Sequence, residues 1–100
     1  MTPSGRCAIA FTVVGADFFP SAGCAGINAR AGTGDVHVAA TGAAPADGFT
    51  GVNPTQVELW GDYGAAAVVG NSVWIATEYI PSTPRTVLAN WGTRISEVTP

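Results

Sequence analysis

The sequence predicts an all-β protein made of antiparallel sheets, and three patterns support this fold class. Short apolar runs are broken by turn residues, and no stretch of useful length has the 3.6-residue periodicity of a helix. Residues 60–80 have the pattern of a complete β-hairpin around Gly70-Asn71. Several runs are apolar on both faces, which is typical of sheets stacked between neighbours, as in propeller blades. We therefore expect about two blades of a β-propeller.

The first predicted strand shows the two-faced pattern clearly. Residues 6–14 alternate larger apolar side chains, such as Ile9 and Phe11, with smaller ones. The same run loosely imitates a short signal peptide, but the alternation favours a strand. Residues 43–55 and 81–84 contain Pro, Gly and Asp and are expected to be loops. In chain order, the predicted strands are Arg6–Val14, Ser21–Ala29, Asp35–Thr41, Tyr63–Val69, Ser72–Tyr79 and Thr86–Val98, with a bend expected at Gly92.

The hairpin fixes a predicted register. A two-residue loop that begins with Gly suits a type II′ turn, whose twist matches the strands that it joins. On this register small residues lie opposite large ones, as close packing requires. The predicted pairs are Val69–Ser72, Val68–Val73, Ala67–Trp74, Ala66–Ile75, Ala65–Ala76, Gly64–Thr77 and Tyr63–Glu78.

The chain of 100 residues is expected to form one domain. Residues 18–23 and 60–65 each open an Ala/Gly-rich strand that is followed by a turn and a similar strand. The two copies are about forty residues apart, which is the expected length of a propeller blade. This faint repeat predicts one partial propeller domain, with blades at 17–59 and 60–100 and with 6–14 as a strand of a preceding blade.

Composition excludes several classes of protein. Hydrophobic residues make up 47% of the chain and charged residues 11%, a balance opposite to that of disordered chains. The net charge is −3, so there is no basic footprint for nucleic acid. No apolar run approaches the roughly 20 residues of a membrane span. Cys7 and Cys24 fit no zinc pattern and form either a disulfide or, as we prefer, two buried free thiols. We expect no cofactor and no metal site.

Six segments occur in the same order as in the sialidase-like, BNR-type β-propeller proteins of bacteria, which the chain resembles over nearly its whole length. The resemblance is to the C-terminal end of that family, whose chains are several times longer and usually secreted. It implies a fragment or truncated product that completes a propeller in a secreted or extracellular protein. The Ser-x-Asp-x-Gly-x-x-x-Trp box of sialidase blades is absent. The matching segments are 8–12, 18–22, 36–40, 60–63, 74–80 and 90–95.

The resemblance also suggests a catalytic group at the open end of the hairpin. Sialidases use a tyrosine nucleophile, which needs a nearby carboxylate to remove its proton. Tyr63 would be this nucleophile, Glu78 its base and Asp62 the acid. The simpler interpretation is a structural Tyr–Glu pair at a strand end. A sialidase also needs clustered arginines for the substrate carboxylate, whereas the four arginines are scattered at Arg6, Arg30, Arg85 and Arg94.

Aromatic and polar residues offer weaker candidates. Trp60 and Trp91 could form a sugar-binding surface, although core packing is the simpler role for each; the register assigns Trp74 to packing. Asp62 is either a turn cap or, with Asp47, a calcium ligand, and the cap is preferred. His37 is expected in the core or at the surface, without a catalytic role.

The most economical function is therefore a non-catalytic structural segment that completes a sialidase-like propeller. Its partners would be the remaining blades or further copies of the chain. Two alternatives remain open at this stage. One is sialoside binding or hydrolysis as part of a longer protein, with a glycan as ligand. The other is an interaction module that assembles through open blade edges, because bare edges and faces favour association.

Overall fold

The computed structural model describes residues 1–46, 60–61, 64–82 and 90–100. These residues form two three-stranded antiparallel sheets and no helix, so the all-β prediction is confirmed. Sheet I has the order β1-β2-β3 and sheet II the order β4-β5-β6. The strands are β1 Arg6–Gly15, β2 Phe18–Asn28, β3 Gly32–Ala40, β4 Ala65–Val69, β5 Ser72–Tyr79 and β6 Gly92–Val98.

Sheet I is a meander of three strands that follow one another along the chain. β1 pairs with β2 from Arg6 opposite Asn28 to Gly15 opposite Phe18. The pairing puts residues 6–14 in the same sheet as residues 18–40. The predicted boundary at Asp17 falls inside this hairpin. The connection, Ala16-Asp17, contains neither Gly nor Asn, so the sequence does not mark it as a hairpin turn.

The turn between β2 and β3 is held by a side chain. The Asn28 Oδ1 atom accepts hydrogen bonds from the backbone N–H groups of Arg30, at 2.9 Å, and Ala31, at 3.3 Å. Gly32 follows with φ of +82°, a conformation that favours glycine. An Asn side chain that satisfies turn donors in this way stabilises the reversal without help from the other sheet.

Sheet II confirms the central part of the predicted hairpin. The five pairs from Ala65–Ala76 to Val69–Ser72 occur as predicted, and β5 has the predicted bounds. Gly70 has φ of +59°, as the first position of a primed turn requires. The predicted pair of Gly64 with Thr77 lies beyond the last strand pair, while the pair of Tyr63 with Glu78 lies outside the described residues. β6 begins at the predicted bend, Gly92.

The inner faces of the two sheets pack against each other and form the core. Val73 and Ile75 of sheet II meet Cys24 of sheet I, and all three are buried. Burying an aliphatic side chain of this size contributes roughly 1.5–3 kcal/mol, so a core this small stabilises the fold only modestly. Ala8, Ala10 and Val98 pack around these three residues and are partly buried.

The segment that follows β3 is fastened to both sheets. Ile80, which is fully buried, donates its N–H to the Pro20 carbonyl at 3.1 Å and accepts the Ala43 N–H at 2.8 Å. The buried Ser21 hydroxyl accepts the Gly42 N–H at 2.8 Å. A Cβ on Gly42 would collide with the Pro20 carbonyl oxygen, so only glycine fits this close approach.

Both cysteines are free thiols. Cys24 is buried in the core, whereas Cys7 is partly buried. Cys7 is paired with Ile27 and Cys24 with Ala10, so their side chains lie on opposite faces of sheet I. They are separated by three residues along the ladder, or about 10 Å. The register therefore rules out the disulfide and leaves the predicted free thiols, of which only Cys24 is fully buried.

Each sheet also has an outer face, on the side away from the core, and both outer faces carry exposed apolar side chains. The sheet I outer face carries Ile9, Val36 and Val38, which are between 39% and 58% exposed. The sheet II outer face carries Val69, Trp74 and Ile95, which are between 42% and 65% exposed. The apolar character of both faces, predicted from the sequence, thus leaves large hydrophobic side chains in contact with solvent.

Candidate functional site

A cleft of about 440 Å³ opens between β1 and the start of sheet II. Residues 8–12 of β1 form one wall, and small residues of β4 and β5, such as Ala66 and Ala76, form the other. Its polar side chains are Thr12, Thr77 and Glu78. The cleft is therefore mostly apolar, with a carboxylate and two hydroxyls, a mixture that is common in binding sites for small molecules.

Glu78 is the predicted catalytic residue that the structure places in this cleft. Its Oε2 atom accepts the backbone N–H of Gly61 at 3.0 Å, and Gly61 has φ of +71°. The carboxylate thus holds the backbone of Gly61, which precedes Asp62 and Tyr63, the other two predicted catalytic residues, in the sequence. Both of these lie outside the described residues, so the pairing of Tyr63 with Glu78 stays a prediction.

Trp60 is held against sheet I. Its ring N–H donates a hydrogen bond of 2.8 Å to the Thr12 hydroxyl oxygen, and the residue is partly buried. Because a partly buried indole N–H that lacks a partner is costly, this bond fixes the ring and ties residue 60 to β1. The contact is structural and is consistent with the simpler of the two predicted roles.

The other two tryptophans are more accessible. Trp91 immediately precedes β6 and is 55% exposed, so it presents an aromatic surface to solvent near the end of β5 that carries Glu78. Trp74 lies opposite Ala67 as predicted, but it is 42% exposed on the sheet II outer face. The prediction that Trp74 is a packing residue is therefore fulfilled only if another layer covers that face.

The charge of the cleft argues against an anionic ligand. Among its described lining residues Glu78 is the one that carries a charge. Arg6, Arg30 and Arg94 do not line the cleft, and Arg85 lies outside the described residues. A carboxylate ligand is held best by a guanidinium fork. The described walls thus suit a neutral or cationic group better than the carboxylate of a sialoside.

Within the described segments, no group of three or more His, Cys, Asp or Glu side chains is arranged to hold a metal ion. His37 is exposed on β3, and Asp47, the suggested second calcium ligand, lies outside the described ranges. No helix of the described residues is long and apolar enough to cross a membrane.

Sequence reasoning missed two members of this region, Thr12 and Gly61. Thr12 is a polar residue within an otherwise apolar run, which is a signal that its hydroxyl has a partner. Gly61 stands between Trp60 and Asp62, and its positive φ is the usual reason for a glycine at such a turn. Neither pattern identifies the partner from the sequence. Thr12 and Trp60, for example, are 48 residues apart.

Comparisons with protein-family models, curated protein sequences and solved structures found no match to this chain. The resemblance to sialidase-like propellers therefore rests on the sequence segments alone.

Proposed function

We propose that this chain is a non-catalytic structural segment whose two sheets are completed by further β-sheets packed on their outer faces, in the manner of propeller blades. The observation that carries the proposal is the pair of apolar outer faces, with Val36 and Ile95 respectively 58% and 65% exposed. Contiguous exposed apolar surface marks a site of interaction in soluble proteins. A sheet that ends a structure normally presents a polar outer face instead.

The open edges of the sheets support the same function. β1 and β3 are the edges of sheet I, and β4 and β6 are those of sheet II. Each edge strand carries backbone groups that can pair with another strand. In the sialidase-like proteins that the sequence resembles, this segment would form the C-terminal part of a propeller in a secreted protein. The additional blades of such a protein would cover the faces and edges that the described residues leave open.

The proposal predicts that a charge on an outer face changes how the chain associates or how it binds a hydrophobic dye. We expect Ile95→Lys to lower either the molar mass measured by light scattering or the fluorescence of bound anilinonaphthalene sulfonate. Thr99→Lys is the control, since Thr99 is exposed and lies just beyond β6. A wild-type monomer that binds no dye, and that Ile95→Lys leaves unchanged in both measurements, would contradict the proposal.

Sialoside binding or hydrolysis is a second candidate. The position of Glu78 in the cleft suits a catalytic base, whereas the lack of an arginine among the described cleft residues counts against binding of the sialoside carboxylate. It predicts release of the fluorophore from a fluorogenic sialoside, lost on Tyr63→Phe and reduced on Glu78→Gln. Binding alone predicts quenching of tryptophan fluorescence by the glycan, lost on Trp60→Ala or Trp91→Ala. An absence of both turnover and quenching at high protein concentration would reject this candidate for the isolated chain.

A further inference from the structure

The cleft between the two sheets is bordered by the edge of a strand rather than by one of its faces. Residues 8–12 line its first wall without a gap, whereas the side chains of a strand alternate between two faces. This wall is therefore the free edge of β1, which is an outer strand of sheet I and pairs with β2 on its other side. Five residues of an edge extend over about 17 Å.

The opposite wall contains a second stretch without a strand partner. The pairing of β4 with β5 ends at Ala65 and Ala76, and β5 continues with Thr77 and Glu78. On its other side β5 remains paired with β6 over these two residues. In the part of the chain that the structure describes, both walls thus carry backbone N–H and C=O groups with no strand beside them. Such groups can pair with an added strand.

These edges also lack the features that usually protect an edge strand. Natural sheet edges are blunted by charged side chains, by proline or by bulges. The edge strand β6 carries Arg94 and Glu97, whereas residues 8–12 and β4 carry neither a charge nor a proline. The register of β1 with β2 is regular over residues 8–12. An unprotected edge of this kind favours pairing with another chain.

Small side chains leave room for the added strand. The cleft of about 440 Å³ is lined largely by alanine and glycine. Gly64 is exposed, and a Cβ at this position would meet the Ala76 carbonyl oxygen at 3.9 Å, an ordinary van der Waals distance. The backbone of the walls is therefore within reach of a second backbone.

Glu78 determines which side chain suits the cleft. It is the one charged residue among the described lining residues. Its Oε2 atom accepts the Gly61 N–H at 3.0 Å, and within the described residues Oε1 has no hydrogen-bond partner. A carboxylate that is fixed by one oxygen and open at the other attracts a Lys or Arg side chain.

We propose that the cleft binds an extended peptide segment of another protein, which adds a strand along residues 8–12 and places a Lys or Arg side chain beside Glu78. In this mode of recognition, main-chain hydrogen bonds supply the affinity and side-chain contacts supply the specificity. The ligand is a peptide rather than a small amine, because an amine would use Glu78 and leave the strand edge unpaired. The inference goes beyond the proposed function, since it concerns the cleft and not the outer faces.

Fluorescence anisotropy with a set of labelled peptides tests this proposal. The first is a short peptide of alternating valine and threonine with a central lysine. The second has glutamate at its centre. The third keeps the lysine but is N-methylated at every backbone nitrogen, so it cannot donate hydrogen bonds to a strand edge. The purified chain should bind the first peptide, bind the second more weakly and not bind the third.

Variants of the chain locate the binding site. Glu78→Gln keeps an acceptor for Gly61 but removes the charge, so it should weaken binding of the lysine peptide about two- to fivefold and abolish the preference for lysine over glutamate. Gly64→Leu places a side chain in the cleft and should abolish binding. Gly15→Leu is the matched control, because Gly15 also has no positive φ, has no atom within 4 Å of an added Cβ and does not line the cleft.

Far-ultraviolet circular dichroism shows whether each variant is folded. If Gly64→Leu loses its β-sheet signal, Ala66→Leu takes its place, since Ala66 is also exposed and lines the cleft.

The other outcomes overturn the proposal in distinct ways. If the N-methylated peptide binds as tightly as its parent, the cleft recognises a cation and not a strand. If Glu78→Gln leaves the preference for lysine unchanged, Glu78 does not select the ligand. If a folded variant with a filled cleft binds like the wild type, or if no peptide binds, the cleft is not the site. None of these results affects the proposed function, which is tested on the outer faces.

Discussion

The central strands of the two sheets are buried in different ways. β2 of sheet I buries five successive residues, from Ser21 to Ala25, on both of its faces. β5 of sheet II alternates instead, with Val73, Ile75 and Thr77 buried on the inner face and Trp74 exposed on the outer one. Both strands are flanked by a strand on each side, so strand order does not explain the difference.

The explanation lies in side-chain size. Around Gly23 in β2, the side chains of Phe11 and Val13 fold over the strand and occupy the space that a Cβ would need. Small residues on a central strand thus allow neighbouring strands to cover it from within the same sheet. Trp74 and its neighbour Ala67 offer no such cover, so β5 needs a second layer from outside. A central strand of small residues can thus be covered within its own sheet, although Val36 and Val38 on the edge strand of sheet I stay exposed, whereas the large outer Trp74 of β5 is left 42% exposed.

The largest expected effect concerns the inner face of sheet II. Ile75→Ala should lower the free energy of unfolding by about 2–4 kcal/mol, because it removes a buried side chain from a small core and leaves a cavity. Urea denaturation at one fixed protein concentration measures this change. The matched control is Ile95→Ala on the opposite face, where the side chain is 65% exposed and the loss should be smaller. Equal losses at the two sites would show that the inner face does not dominate stability.

The next effect concerns the way in which sheet I covers itself. Gly23→Ala should destabilise the fold by about 1–3 kcal/mol through overpacking, since the new Cβ would lie 2.6 Å from Val13 Cγ2 and 2.9 Å from Phe11. Gly26→Ala in the same strand is the control, because the nearest atom, Cβ of Pro100, would be 3.6 Å away. Thermal unfolding should separate the two variants clearly. If Gly26→Ala were as destabilising as Gly23→Ala, the loss of stability would come from the exchange of glycine for alanine in a strand and not from the crowding by Phe11 and Val13.

The two sheets were not equally predictable from the sequence. The register of the β4–β5 hairpin was predicted pair by pair, because Gly70-Asn71 defines both the turn and the phase of the strands. In sheet I the beginning of β2 was misplaced to Ser21, since Pro20 argues against a strand. In the structure, Pro20 lies opposite the part of β1 between Val13 and Gly15, where the strand pairing is irregular. A proline, which has no N–H to donate, is tolerated at such a position.

The candidate site was predictable only where it depends on the hairpin. The register predicted Glu78 opposite Tyr63, which lies outside the described residues, and the bond from Glu78 to Gly61 was not predicted. The contact between Trp60 and Thr12 joins residues 48 positions apart, of which only Thr12 lies in a strand, and no local pattern encodes such a pairing. Contacts between sheets depend on how the sheets stack, which periodicity and turn chemistry leave undetermined.

The smallest expected effect concerns the hydrogen bond from the Trp60 ring to Thr12, which ties the residue to β1 of sheet I. Trp60→Phe and Thr12→Val should each lower the free energy of unfolding by about 0.5–1.5 kcal/mol, the usual net contribution of a hydrogen bond. The double variant should cost less than the sum of the two, since either change alone already breaks the bond. Losses that simply add would show that Trp60 and Thr12 act independently. The two sheets would then be joined by their apolar inner faces and by the segment that follows β3, without help from this polar contact.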